Sequence, residues 1–370
     1  MKILYITTIG STMNFFISFI RQLLDEGHTV DIATNESSSK VPACYKEWGC
    51  TVYQIGTSRS PLDKGNVKAV KQIKEIVGEK KYDIVHCHTP VAAMCTRLAC
   101  RKTRKNGTKV FYTAHGFHFY KGAPLRNWLL YYPVEKICSY FTDVLITINQ
   151  EDYAEAQKKL IAKQVEFVPG VGIDVDKFAG VVIERAKKRR ELDIPKDAFL
   201  MISVGELNEN KNHKTIIKAM GQFGNKNIYY AIAGKGELDD ELIALADELG
   251  LGERLKLLGF RSDVAELYKA SDVCVFPSIR EGLGLAAIEA MACGLPLIAA
   301  DNRGTRDFCV DGVNALVSQA TDVNKFASCI EELYKNKSLR GSMARYNIDA
   351  AKKFEVKQIN ESMKEIYKVN

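Results

Sequence analysis

Strand-like runs alternate with helical patterns from one end of this 370-residue chain to the other. That alternation restricts the fold to α/β, with doubly wound parallel sheets carrying helices on both faces. In the first half, strands are expected at 2–8, 28–34, 51–55, 84–88, 110–113 and 144–148, with helices at 14–26, 42–48 and 67–78 between them. A second series begins at 199–204 and continues through 228–233, 255–258, 273–276, 297–300 and 315–317. The segment from Val165 to Phe178 reads as the crossing between them. The length suits two domains: 1–170, 171–345, and a closing helix, 346–370, expected to return to the first domain.

Composition removes several classes. No run of eighteen apolar residues occurs, so no spanning helix is expected. The apolar stretch from Met13 to Leu24 follows a strand and contains Arg21, which makes it the first helix of the fold rather than a signal core. The ten cysteines form no C-x-x-C pair and no zinc spacing, as expected of reduced thiols in a cytoplasmic protein. The net charge of +7 is lopsided: 23 Lys and Arg face 15 Asp and Glu in residues 1–170, against 29 and 30 beyond. The cluster Arg97, Arg101, Lys102, Arg104, Lys105 and Lys109 is either a solvated surface or a contact for an anionic membrane or a lipid pyrophosphate. No nucleic-acid motif accompanies it.

Glu281 and Glu289 carry the strongest chemical signal. They are eight residues apart, two helical turns plus roughly 80°, so one continuous helix would not align them. A helix starting near Gly284 would leave Glu281 on the preceding loop and Glu289 on the second turn. The N–H groups at Gly284 and Leu285 would then be free donors at a positive helix end, a setting for phosphate. The plain alternative is a capping Glu281 and a solvated Glu289. The surroundings oppose it, because the loop opens from the carboxyl end of the strand 273–276, where α/β sheets bind ligands.

Other motifs surround this pair. Gly205 begins the loop after strand 199–204, and Lys211 on that loop is placed to neutralise a diphosphate. Gly234 starts a glycine turn at the end of 228–233. Phe260 and Arg261 end the next strand, where they would hold a base; either turn is alternatively a plain tight turn. The first βα turn, Thr7 to Thr12, contains only Gly10 where a dinucleotide fingerprint needs three glycines, which opposes an NAD-dependent oxidoreductase. Four of the six histidines fall at two strand ends, His86 and His88, His115 and His118. Their spacing fits no standard metal site; they read as polar cleft residues, His115 the nearest to substrate.

Together Glu281, Glu289, Lys211, the Gly234-Lys-Gly236 turn, His115 and the strand Asp83 to His88 resemble glycosyltransferase family 4, retaining enzymes of the GT-B fold. Two stretches, TAHGFHFYKGAPLRNWLLYYPVEK and VGELNENKNH, resemble its capsular and exopolysaccharide branch. The resemblance implies two Rossmann-like domains facing a central cleft, the first for acceptor and the second for donor. It implies that Glu281 holds donor-sugar hydroxyls, Glu289 the ribose and Lys211 the diphosphate. Gly284 and Leu285 would offer N–H groups to the distal phosphate, with His115 approaching the transferred sugar. It also implies retention without metal or cofactor, a nucleotide-diphosphate oxygen taking the acceptor proton. The chain departs from the pattern at Glu206, where many members have Arg, in lacking the double glycine of the first loop, and at Arg303 to Asp307 in place of Gly-Gly-x-Pro-Glu.

The expected function is transfer from a UDP-sugar to a polyprenyl-diphosphate-linked saccharide at the cytoplasmic membrane face. Two rivals remain on this architecture: a UDP-sugar 2-epimerase and a non-catalytic sugar-nucleotide-binding protein. The aromatic, basic segment Phe117 to Lys136 favours an amphiphilic acceptor over both, unless it is simply a buried helix.

Overall fold

The computed structural model describes residues 1–223 and 227–369. The chain divides into two units, Met1–Val171 together with the segment from Ile359 onward, and Gly172–Gln358. Among the described residues the first unit has seven strands: β1 (Lys2–Ile9), β2 (Thr29–Asn35), β3 (Val52–Gln54), β4 (Ile84–His88), β5 (Lys109–Ala114), β6 (Val144–Thr147) and β7 (Gln164–Phe167). They lie in the order β3-β2-β1-β4-β5-β6-β7, all parallel. The chain starts at the centre, runs out to one edge and returns, so its topological switch lies between β1 and β4.

The second unit has six described strands: β8 (Phe199–Val204), β9 (Ile228–Ala233), β10 (Leu255–Gly259), β11 (Val273–Phe276), β12 (Leu297–Ala300) and β13 (Ala315–Ser318). Their order is β10-β9-β8-β11-β12-β13, again parallel, with the switch between β8 and β11. These two all-parallel sheets are the expected doubly wound α/β class.

Strand β1 feeds two cores, because successive side chains point to opposite faces. Leu4 and Ile6 of β1 pack with Ala69, Ile73 and Ala92 on one side. Ile3 and Tyr5 pack with Ile20, Ile359 and Tyr367 on the other. The closing helix, Val356–Val369, is tied in by Tyr367, whose hydroxyl hydrogen-bonds with Tyr5 Oη at 2.9 Å and His86 Nδ1 at 2.6 Å. That return starts at Ile359; residues 346–358 belong with the second unit.

Three local readings differ from the structure. The expected helix 14–26 is a 3₁₀ stretch, Gly10–Phe16, followed by an α-helix, Ile17–Asp25. Residues 165–167, read as the start of the crossing, belong to strand β7, which completes the sheet by pairing with β6. The basic cluster is partly spent inside. Arg97 is buried, bonds Glu135 at 2.8 Å and lies 4.3 Å from the centre of the Tyr112 ring. Arg104 grips Asp143 through two N–H groups at 2.8 Å. Burial pushes the Asp143 carboxyl up, but Arg104 and the Val110 N–H overcome it and hold it at about 2. Arg101, Lys102 and Lys105 stay exposed. No helix among the described residues is long and apolar enough to cross a membrane.

Candidate active site

The loops that leave β8 and β11 flank the switch point of the second unit, and they are stitched together. Asn210 Nδ2 donates to Arg280 O at 2.9 Å, Ile279 N–H donates to Asn210 O at 2.8 Å, and Asn212 Nδ2 donates to Pro277 O at 3.1 Å. Buried His213 contacts Tyr230 Oη at 2.9 Å and Glu206 O at 3.3 Å, fixing the base of the first loop. This framework sets Lys211 Nζ 2.7 Å from Glu281 Oε1, both side chains mostly buried. An ammonium and a carboxylate are thus preorganised at one point, the ammonium 5.4 Å from the Phe276 ring centre.

The glycines belong to the same construction. A Cβ on Gly234 would sit 1.8 Å from Gly205 O, so only glycine lets the β8 and β9 turns approach this closely. Gly205 leaves room for the stem of Lys211, whose Cε would be 3.1 Å from a Cβ there. Gly284, at φ +110°, caps the helix Leu285–Ala292, as expected from sequence. The Ala287 and Ile288 N–H groups turn back onto Gly284 O, so Leu285 and Ala286 present the first helix donors.

Glu289, one turn further on, is partly exposed. Among the described residues its carboxylate accepts no hydrogen bond. Burial pushes it up to about 7, opposed only by the charge of Lys177. A carboxylate desolvated without donors is suited to accept a ligand's hydroxyls.

Residues that the motif reading missed support this loop. Arg303, in the departure from Gly-Gly-x-Pro-Glu, donates from Nε to Glu281 O at 3.3 Å. Asn302 donates from Nδ2 to Ser278 O at 2.9 Å and accepts from Gly304 and Thr305 N–H. Their place after β12, beside the β11 loop, was the available signal. The guanidinium of Arg261, expected with Phe260 near a base, is occupied by Asp263, at 2.8 and 2.6 Å, and Glu191, at 2.8 Å. Phe260 is 77% exposed at the end of β10, an uncovered ring face.

In the first unit, β4 and β5 bring three histidines into one chain. His88 Nδ1 meets His115 Nε2 at 3.1 Å, while His86 contacts Tyr367 Oη and, at 2.8 Å, Thr113 Oγ1. Burial holds His115 down at about 4; burial and then the His115 charge hold His86 at about 3. All three are neutral at pH 7, and His115 is the partly exposed member. His118 stands apart, stacked on Tyr131 at 4.4 Å. A Cβ on Gly10 would lie 2.3 Å from Ser39 O, so close backbone packing between the β1 and β2 loops requires glycine there.

Comparison with known proteins matches this two-unit layout. Residues 2–149 match the family described as glycosyl transferase 4-like, and residues 184–350 match glycosyl transferases group 1. The chain is 38% identical over 371 residues to "Putative glycosyltransferase EpsD" of Bacillus subtilis, an alignment spanning 99% of this chain and 96% of that protein. It is 29% identical to the Escherichia coli UDP-Gal:alpha-D-GlcNAc-diphosphoundecaprenol alpha-1,3-galactosyltransferase, over 74% of this chain and 73% of the relative. Among solved structures, Anabaena HepE in complex with UDP-glucose superposes with a TM-score of 0.82 at 21% identity, covering all of both chains. The lipopolysaccharide glycosyltransferase WaaG gives 0.79 at 18%, over 98% of this chain and 99% of that one; at such identities these two show the GT-B fold. The extent and identity of the EpsD match, with both halves in glycosyl transferase families, place this chain in the group 1 (family 4-like) glycosyltransferases.

Proposed function

We propose that the chain moves a hexosyl group, with retention and without a metal, from a UDP-sugar to a lipid-linked saccharide in surface-polysaccharide synthesis. The observation that carries this is the Lys211–Glu281 pair held at the β8/β11 switch point beside the Gly284-capped helix. In this reading Lys211 and the Leu285 N–H balance the diphosphate, where preorganised charge favours departure of the nucleotide. Glu281 accepts donor-sugar hydroxyls, Glu289 accepts the ribose hydroxyls, and the exposed Phe260 offers its face to the base. The departing phosphate oxygen takes the proton of the acceptor hydroxyl as the new glycosidic bond forms. Neutral His115 offers a hydrogen bond to the transferred sugar without adding charge. The relatives support the choice of donor and acceptor: one acts with UDP-Gal on a diphosphoundecaprenol-linked sugar, and another structure holds UDP-glucose.

The acceptor is met at an anionic membrane surface. The helix Leu125–Ser139 is apolar on both faces. Trp128 and Tyr132 pack inward, while Leu129, Leu130 and Ile137 are 68%, 64% and 58% exposed. Arg126 and Lys136 on the helix, and Arg101 beneath the Phe141 ring at its carboxyl end, supply the cations that such a surface requires. A 2-epimerase acting on a soluble nucleotide sugar has no use for this face. The test is transfer by Lys211→Ala and Glu281→Ala. Each is expected to lose at least about tenfold to a thousandfold in kcat, and intact transfer by both variants would refute the site.

A further inference from the structure

Two cavities in the first unit lie at the carboxyl ends of its central strands. The larger, about 580 Å³, has Ser11, Asn35, Ser38, Ser39, Ser58 and Asp63 among its lining residues. The smaller, about 240 Å³, lies at the switch point itself, between the end of β1 (Thr8, Ile9) and the start of the helix Pro90–Ala99 (Thr89, Pro90, Val91), with Thr12, Pro61, His118 and Tyr131 also on its wall. One wall is hydroxyl and carboxamide, the other mostly carbon. The shared residues are Ile9 and Arg59.

Arg59 is the informative one. It is exposed, and among the described residues its guanidinium has no hydrogen-bond or ion-pair partner. Arg97, Arg104 and Arg261, by contrast, are each spent on carboxylates. A free planar cation between a polar and an apolar compartment matches a ligand whose charge sits between a polar and an apolar portion. Asp63 fixes the orientation. It lines only the polar compartment and accepts from Gly65 N–H at 2.7 Å, so that compartment suits neutral hydroxyls and repels an anion. The start of the helix Pro90–Ala99 adds a positive end to the apolar compartment's rim. Tyr131 places that compartment against the helix Leu125–Ser139, the one with the uncovered leucines.

We infer that these cavities are one divided site for a glycosyl isoprenyl diphosphate. The saccharide occupies the Ser/Asn/Asp63 compartment, the diphosphate meets Arg59, and the first isoprene units enter the compartment of Ile9, Pro61, Val91 and Tyr131. The inference rests on the lipid-linked acceptor proposed above and adds the residues that select it. Arg59 is the specificity determinant, because it alone borders both compartments with charge.

The test is calorimetric titration of farnesyl diphosphate, inorganic pyrophosphate and farnesol into the full chain holding saturating UDP, which fills the donor diphosphate site. Farnesyl diphosphate is expected to bind at least tenfold more tightly than either fragment. Arg59→Ala is expected to weaken it ~10- to 100-fold, the worth of a charge-assisted contact, with Arg59→Lys between. A farnesyl diphosphate bearing one N-acetylhexosamine should bind more tightly still, and Ser38→Trp, which fills the polar compartment, should erase that gain. Wild-type affinity in Arg59→Ala, or pyrophosphate binding as tightly as farnesyl diphosphate, would overturn the inference. Failure of UDP to bind would instead count against the donor reading of the second unit, and the Arg59 comparison would still decide this one.

Discussion

Replacing Glu289 by Gln should stabilise the empty protein at alkaline pH and weaken its hold on UDP. Glu289 titrates at about 7 in the folded chain because burial disfavours its charge, against about 4.3 in an unfolded one. The folded state therefore binds the proton more tightly. The stability this contributes is complete below the unfolded value and is lost as the pH rises through 7. At 1.36 kcal/mol for each pH unit between the two values, ionising the folded carboxyl costs up to about 4 kcal/mol. Glutamine has nothing to ionise, so the variant should gain most of that difference at pH 8 and almost none near pH 4.5. For a unit of this size that is a rise in Tm of roughly 6–12 °C, read by calorimetry on both proteins at both pH values. UDP binding should move the other way, weakening about tenfold, since the amide has one acceptor oxygen where the carboxylate has two. Wild type should also release a proton on binding UDP near pH 6.5, seen as a heat that depends on the buffer. A variant no more stable at pH 8, or equally stabilised at both pH values, would refute the desolvation argument.

Gly234→Ala should abolish UDP binding and cost several kcal/mol of stability, because its Cβ would fall 1.8 Å from Gly205 O and no side-chain movement relieves a backbone collision; unchanged urea unfolding would contradict this. Leu129→Asp with Leu130→Asp should cut sedimentation with phosphatidylglycerol vesicles at least about tenfold while sparing turnover of a short-chain soluble acceptor. Equal loss of both would show that these leucines serve folding rather than docking.

The sequence was most legible where one residue type has one structural use. The strand runs marked the sheets because parallel strands buried on both faces need continuous apolar side chains. Gly284 marked the start of its helix because the cap takes a φ that glycine tolerates best. The spacing of Glu281 and Glu289 followed from that start. Where a residue's partner is distant in sequence, the reading failed. Arg97 and Arg104 looked like a surface patch, yet their carboxylates, Glu135 and Asp143, lie 38 and 39 residues further along. The pairing of Arg261 with Glu191, 70 residues before it, was equally invisible. The close approach of Gly10 to the backbone of Ser39 was illegible for the same reason, since nothing local announces it. Arg59 failed in the opposite sense: an ordinary loop residue gains its meaning only when β1, β3 and β4 set two cavities on either side of it.

The most direct test of the account is to incubate the protein with UDP-, GDP- and ADP-hexoses in EDTA and follow nucleotide diphosphate release with and without a polyprenyl-diphosphate-linked saccharide. The account predicts release from one UDP-sugar alone, accelerated by the lipid acceptor, with the anomeric configuration of the donor kept in the product. Conversion of a UDP-sugar to its C2 epimer, inversion at the anomeric carbon, or no turnover of any donor would contradict it.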